Sequence, residues 1–83
     1  MRYVDRNNND ISFDQFCRMR DDRVAVTEMD RCTVSTVWVG VDAGDGRIFE
    51  TAVIVAGDVE ACERYRTELD AVNGHVRWVE WFS

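Results

Sequence analysis

The sequence predicts a small α+β domain built on an antiparallel sheet, and three observations carry that reading. Residues 33–42 and 47–56 are rich in β-branched and aromatic side chains and flank Ala43-Gly-Asp-Gly46, the pattern of a β-hairpin. Leu69, Val72, Val76 and Val79 recur at helical spacing further on, an apolar stripe expected to pack on that sheet. A chain of 83 residues, 46% apolar and 31% charged, fits one globular domain that is too apolar for wholesale disorder and has a small core.

The chain opens with a polar turn, Asn7-Asn8-Asn9-Asp10, whose side chains bond their own backbone and tolerate left-handed conformations. Ser12 then reads as an N-cap, with Gln15 completing a capping box. The helix expected over 12–21 places Phe13, Phe16 and Cys17 on one face. Asp5, Asn7 and Asn9 also match the first three ligand positions of a calcium-binding EF-hand loop. The match fails beyond them, because Asp10 stands where that loop needs Gly and Phe16 where it needs a bidentate Glu. Residues 23–29 alternate as a strand, closed by a turn at Asp30-Arg31. In the hairpin, Val34, Thr36, Trp38 and Gly40 face one way, and Ser35, Val37, Val39 and Val41 the other. On its second strand Phe49, Thr51, Val53 and Val55 oppose Ile48, Glu50, Ala52 and Ile54. Both faces are apolar, so one should be core and the other a natural partner surface.

Gly57-Asp58 reads as another turn, after which two readings stand. Residues 58–82 form either one long helix or a short strand followed by a helix capped by Thr67, with Asp70 approximating a capping box. The stripe Leu69, Val72, Val76, Val79, flanked by Ala71, His75, Trp78 and Phe82, supports a helix from 67 onward either way. Gly74 inside it costs up to about 1 kcal/mol relative to Ala, which suggests close packing or a bend.

The net charge of −6 argues against direct nucleic-acid binding, since each phosphate contact needs a cation. All ten basic residues are arginine. Codon bias in a GC-rich genome is the simpler explanation, although arginine also suits bidentate protein contacts. Residues 33–83 hold nine acids against four arginines, so the negative excess lies in the C-terminal part. Cys17, Cys32 and Cys62 form no C-x-x-C and, with one histidine, no zinc set. Buried free thiols in a reducing compartment are expected. No stretch approaches the roughly 20 apolar residues of a membrane helix and no secretory signal opens the chain, so a cytoplasmic location with no membrane contact is expected.

No catalytic constellation emerges. His75 lies one turn from Trp78 and reads as a packed helix histidine, and Ser35 and Thr36 sit inside a strand rather than on a nucleophile elbow. Asp42, Asp45 and Glu50 read as solvated acids rather than a metal site, and Asp42–Gly46 is too short for a phosphate loop and has no lysine. The expectation is a protein that is not an enzyme and carries no cofactor or metal. Among the aromatics, Trp78 and Phe49 are assigned to the core, while Trp38 and the terminal Trp81-Phe82 are expected as exposed anchors.

Val34-Ser-Thr-Val-Trp38, Gly40, Asp42, Ile48-Phe-Glu-Thr51, Arg64-Tyr65 with Thr67, and Gly74-His75 resemble a family of small proteins from phages and prophages. Its members read approximately VSTVWLGLDH, IFETMVF and RYSTEEEALAGH. Asp5-Arg6, Ile11 and the following helix also resemble it, so the likeness spans nearly the whole chain. It implies strand then helix after Gly57, giving about four antiparallel strands (23–29, 33–42, 47–56, 61–66) with helices 12–21 and 67–81. The chain departs at Ala43, where the family shows His, and at Ala43–Gly46, which replaces a longer loop. The resemblance implies origin and fold rather than an activity. By analogy of size, charge and origin, the expected function is a non-enzymatic, anti-CRISPR-like accessory protein inhibiting a host or defence protein that has a basic surface. An acidic patch of Glu60, Glu63, Glu68, Asp70 and Glu80 would steer contact, and Trp38, Trp81 and Arg64–Tyr65–Arg66 would anchor it. One alternative is a small-molecule or signalling-nucleotide binding protein with a pocket lined by Trp38, Tyr65, His75 and Arg64. A second is a structural accessory protein. Homodimerisation through a sheet edge or Trp81 is compatible with the same features.

Overall fold

A computed structural model describes residues 1–19 and 21–83. In chain order the elements are β1 (Arg2–Tyr3), α1 (Phe13–Arg18), β2 (Arg23–Glu28), β3 (Cys32–Trp38), β4 (Val41–Asp42), β5 (Phe49–Val55), β6 (Asp58–Tyr65) and α2 (Glu68–Phe82). The fold is α+β. A four-stranded antiparallel sheet runs β2-β3-β5-β6, a two-stranded ribbon pairs β1 with β4, and α2 packs on the four-stranded sheet. No helix among the described residues is long and apolar enough to cross a membrane.

Local chemistry sets most element boundaries. Asn7 and Asn9 donate backbone N–H bonds to Asp5 Oδ1, both at 2.9 Å, and Asn8 takes a φ of 65°, so the asparagine run is the turn that was expected. Ser12 and Gln15 form the full reciprocal cap. The helix they start is nevertheless six residues long and capped at Met19, not the span 12–21, of which Arg20 lies outside the described residues. Phe13 and Phe16 both pack against Tyr3, and Phe16 also against Trp38, although Phe13 and Cys17 remain exposed.

The hairpin is interrupted. β3 and β5 pair from Cys32↔Val55 to Trp38↔Phe49. The chain then leaves the sheet at Gly40, whose φ of +77° and whose contact with aromatic rings both exclude a side chain. A Cβ there would stand 2.6 Å from Phe16 and 2.7 Å from Trp38. Residues 41–42 pair instead with β1, and Val4 N–H bonds Gly40 O at 3.0 Å. At the other end, Ala56 and Gly57 both take positive φ, 53° and 85°, a two-residue turn of the primed kind whose twist matches its strands. It joins Val55 directly to Asp58, so β6 begins at 58 rather than 61. Thr67 caps α2 through Asp70 N–H at 3.1 Å.

The core has two apolar clusters. Val4, Trp38, Ile48, Phe49, Tyr65 and Ala71 form one. Cys32, Val34 and Val53 form the other, with Trp78, Val79 and Phe82 packed against them. The buried polar residues Thr36, Thr51 and His75 share the same interface. The inward side of α2 is therefore Ala71, Gly74 and His75, followed by half-buried Trp78, Val79 and Phe82. This corrects the expected packing stripe: Leu69, Val72 and Val76 face solvent. Gly74 is required there because a Cβ would fall on the Tyr65 ring. The open sheet face carries the row Val26–Ser35–Ala52–Cys62.

Candidate functional site

The interior histidine can be settled first. Alternation on β2, β3 and β5 turns Thr27, Thr36 and Thr51 toward α2. His75 Nε2 lies 2.8 Å from Thr27 Oγ1 and its Nδ1 2.8 Å from Thr36 Oγ1, while Thr36 and Thr51 hydroxyls meet at 2.5 Å. Both ring nitrogens are occupied, and burial lowers the imidazole pKa, so the neutral ring is a satisfied polar element of the core.

Asp42 is likewise structural. Its Oδ1 accepts the N–H groups of Gly44 and Gly46 at 2.8 and 2.9 Å, and its Oδ2 takes Arg2 Nε at 3.1 Å. Those backbone donors, Gly44 first, hold its carboxyl below the usual range. Asp42 is buried, not a solvated acid. Among the described residues no three His, Cys, Asp or Glu side chains converge as a metal ligand set. Only Cys32 is buried; Cys17 and Cys62 are exposed, against the expectation for all three thiols.

The residues expected to bind a partner do not form one surface. Trp38 is 3% exposed and belongs to the core, because it sits on the inward alternation of β3 under Phe16. It is not an anchor. Tyr65 is buried too, its hydroxyl close to Thr51 and Glu63 without a well-formed bond to either. Of the pocket expected from Trp38, Tyr65, His75 and Arg64, only Arg64 and Tyr65 border a hollow, and Trp38 and His75 are packed inside. Glu63 turns toward α2, where it accepts from Trp78 Nε1 at 3.1 Å and Arg77 at 3.2 Å. The neighbouring Tyr65 hydroxyl, then these donors, keep its carboxyl pKa low. Glu68 pairs with Arg6 at 3.3 Å, Glu60 lies on β6, and Arg64 pairs with Glu50 at 2.8 Å across the β5–β6 ladder.

Besides the open sheet face and single exposed side chains such as Phe13 and Val59, two exposed regions involve α2. The first is its outward side. Leu69, Val72 and Val76 stand in solvent there at i, i+3 and i+7, while Trp81, 79% exposed, lies round the helix on the flank it shares with Arg77. Glu68, Asp70 and Glu80 are interspersed. The second is a pair of surface hollows along one flank. One, of about 320 Å³, is lined by Arg47, Arg64, Arg66, Arg77, Asn73 and Asp70, over Tyr65. The other, of about 590 Å³, is lined by Arg77, Trp78, Glu80 and Trp81. Arg77 borders both. Sequence reasoning missed Arg47, Asn73 and Arg77, and it assigned Leu69, Val72 and Val76 to the wrong side. The spacing 70, 73, 77 on a helix next to Arg64 and Arg66 is the signal that brings most of the first hollow together. Arg47 joins only through the β5–β6 register.

Compared with protein-family models, curated proteins and solved structures, the chain matches none.

Proposed function

We propose that this chain is a non-enzymatic binding module of phage type that occupies a basic surface of a host or defence protein, as anti-CRISPR inhibitors do. The observation that carries the proposal is the outward side of α2. Three aliphatic side chains and a tryptophan stand in solvent on one 15-residue helix, among the carboxylates of Glu68, Asp70 and Glu80. Exposed apolar groups rimmed by charge are the composition of a docking surface. The acids steer approach to a positive partner, and the apolar ridge supplies contact area once water is expelled. Of the expected anchors Trp81, Arg64 and Arg66 remain at the surface, whereas Trp38 and Tyr65 lie inside and Phe82 packs against the core. The resemblance to phage proteins and the net charge of −6 support the same reading.

Affinity capture of the tagged chain from a bacterial lysate, with the retained protein identified and its nucleic-acid binding assayed, tests this. A partner held at low salt, released at high salt, and lost with Leu69→Asp or Val76→Asp is the expected result. Such surface changes should move stability by no more than about 0.5 kcal/mol. A partner that binds both variants as well as the original chain, or one whose nucleic-acid binding is unaffected, removes the proposal.

A further inference from the structure

The flank hollows carry a different inference. Four of the ten arginines of an acidic chain line the smaller one, against the single carboxylate Asp70. The lining itself is therefore rich in arginine, although carboxylates just outside it match three of the four charges. Three of the four are steadied from outside the lining: Arg64 by Glu50 at 2.8 Å, Arg77 by Glu63 at 3.2 Å, and Arg47 by Asp45 at 3.6 Å. Each contact uses only part of a guanidinium. Arg64 engages Glu50 through Nε and Arg77 engages Glu63 through one terminal nitrogen, so other donors of the fork are free. Arg66 makes no ion pair among the described residues. Exposed pairs of this kind hold little energy of their own, so they orient the arginines without competing strongly for an incoming anion.

Across Arg77 lies the aromatic hollow, where Trp81 is largely exposed and the Trp78 indole N–H is already taken by Glu63. A guanidinium cluster beside an exposed indole is complementary to a ligand with phosphate at one end and a flat ring at the other. The two volumes together suit a small molecule.

We propose that the α2 flank is a nucleotide-binding site. The phosphates lie among Arg47, Arg64, Arg66 and Arg77, and the base lies on Trp81. The site shares Trp81, Asp70 and Glu80 with the docking surface but not its aliphatic ridge, since neither Leu69 nor Val76 lines it.

Titration of the full chain with ATP and with inorganic pyrophosphate, read by calorimetry, tests the site. Saturable binding of both is expected, with Arg66→Glu and Arg77→Glu each weakening both about tenfold or more. Trp81→Ala should weaken ATP about tenfold and leave pyrophosphate within about twofold. Circular dichroism of each variant confirms that it is folded. Absence of saturable ATP binding, or binding that Arg66→Glu leaves unchanged, overturns the proposal. Binding confined to a single-stranded oligonucleotide also overturns it. Since Leu69→Asp and Val76→Asp leave this flank intact, its failure and that of the protein-docking reading are told apart.

Discussion

The surroundings of Trp38 and of Trp81 show how differently one chain uses the same residue. Trp38 is 3% exposed, packed under Phe16 and paired across the ladder with Phe49. Trp81 is 79% exposed in the last turn of α2. Strand alternation fixed the first. β3 has one side against α2, and Trp38 falls in phase with Cys32, Val34 and Thr36. The second is decided by what α2 turns inward, which is small and polar: Ala71, Gly74 and His75. The helix docks by letting the Tyr65 ring approach its backbone at Gly74 and by inserting one imidazole between two threonines. Its bulkier aliphatic residues are thereby left outside. Buried packing is concentrated at the Trp38 end and exposed aromatic surface at the Trp81 end.

The largest expected effect breaks the comparison at its buried end. Trp38→Ala should cost about 3–5 kcal/mol, much of the stability of so small a domain, and urea denaturation followed by circular dichroism should show a chain largely unfolded at room temperature. Trp38→Phe, retaining an aromatic ring, should fold with a loss of about 1–3 kcal/mol. If Trp38→Ala kept the wild-type midpoint, Trp38 would not be a core residue. Gly74→Ala comes next. Alanine is the better helix former by about 1 kcal/mol, yet its methyl group falls on the Tyr65 ring. A net loss of about 1–2 kcal/mol is expected from overpacking, and a gain in thermal midpoint would show that the ring moves aside freely.

Much of the fold was legible because short-range chemistry dictates it. Asp5, the Ser12–Gln15 box, the Asp30-Arg31 turn and the Thr67 cap are each decided by atoms within a few residues of one another. The errors arose where a distant partner decides. The 33–42 strand divides because residues 41–42 find β1, some 40 positions earlier. Apolar periodicity alone favours Leu69, Val72 and Val76 as the inward side of α2, whereas Tyr65 and the threonines on the facing strands select Gly74 and His75. The α2 surfaces were legible only in part for the same reason. Trp81 was foreseen from its place near the end of the helix, but the arginine hollow depends on the β5–β6 register.

The buried imidazole sharpens the comparison through pH. Burial depresses the His75 pKa below its ordinary 6.5, so the folded chain resists a proton that the unfolded chain accepts. Stability from this source is fully present above pH 6.5 and declines as pH falls below it, by at most about 1.4 kcal/mol per unit until the folded-state pKa is reached. Urea midpoints at about pH 7.5 and 5.5 should differ for the wild type and converge in His75→Gln, once its lower baseline is allowed for. Asp42 and Glu63, both lowered, act in the same direction at more acidic pH and are unaffected by that substitution.

The smallest effect belongs to the exposed end, and its smallness is the point. Trp81→Ala should shift the urea midpoint by no more than the equivalent of about 0.5 kcal/mol, because the side chain has little contact to lose. The same substitution removes the proposed anchor of the α2 surface, so its consequence should appear in partner capture and in nucleotide titration. A mutation silent in stability and severe in binding separates recognition from folding. If Trp81→Ala instead destabilised the chain as Trp38→Ala does, Trp81 would be covered in solution. A concentration-dependent midpoint in the original chain, lost in Trp81→Ala, would then identify a second copy of the chain as the cover.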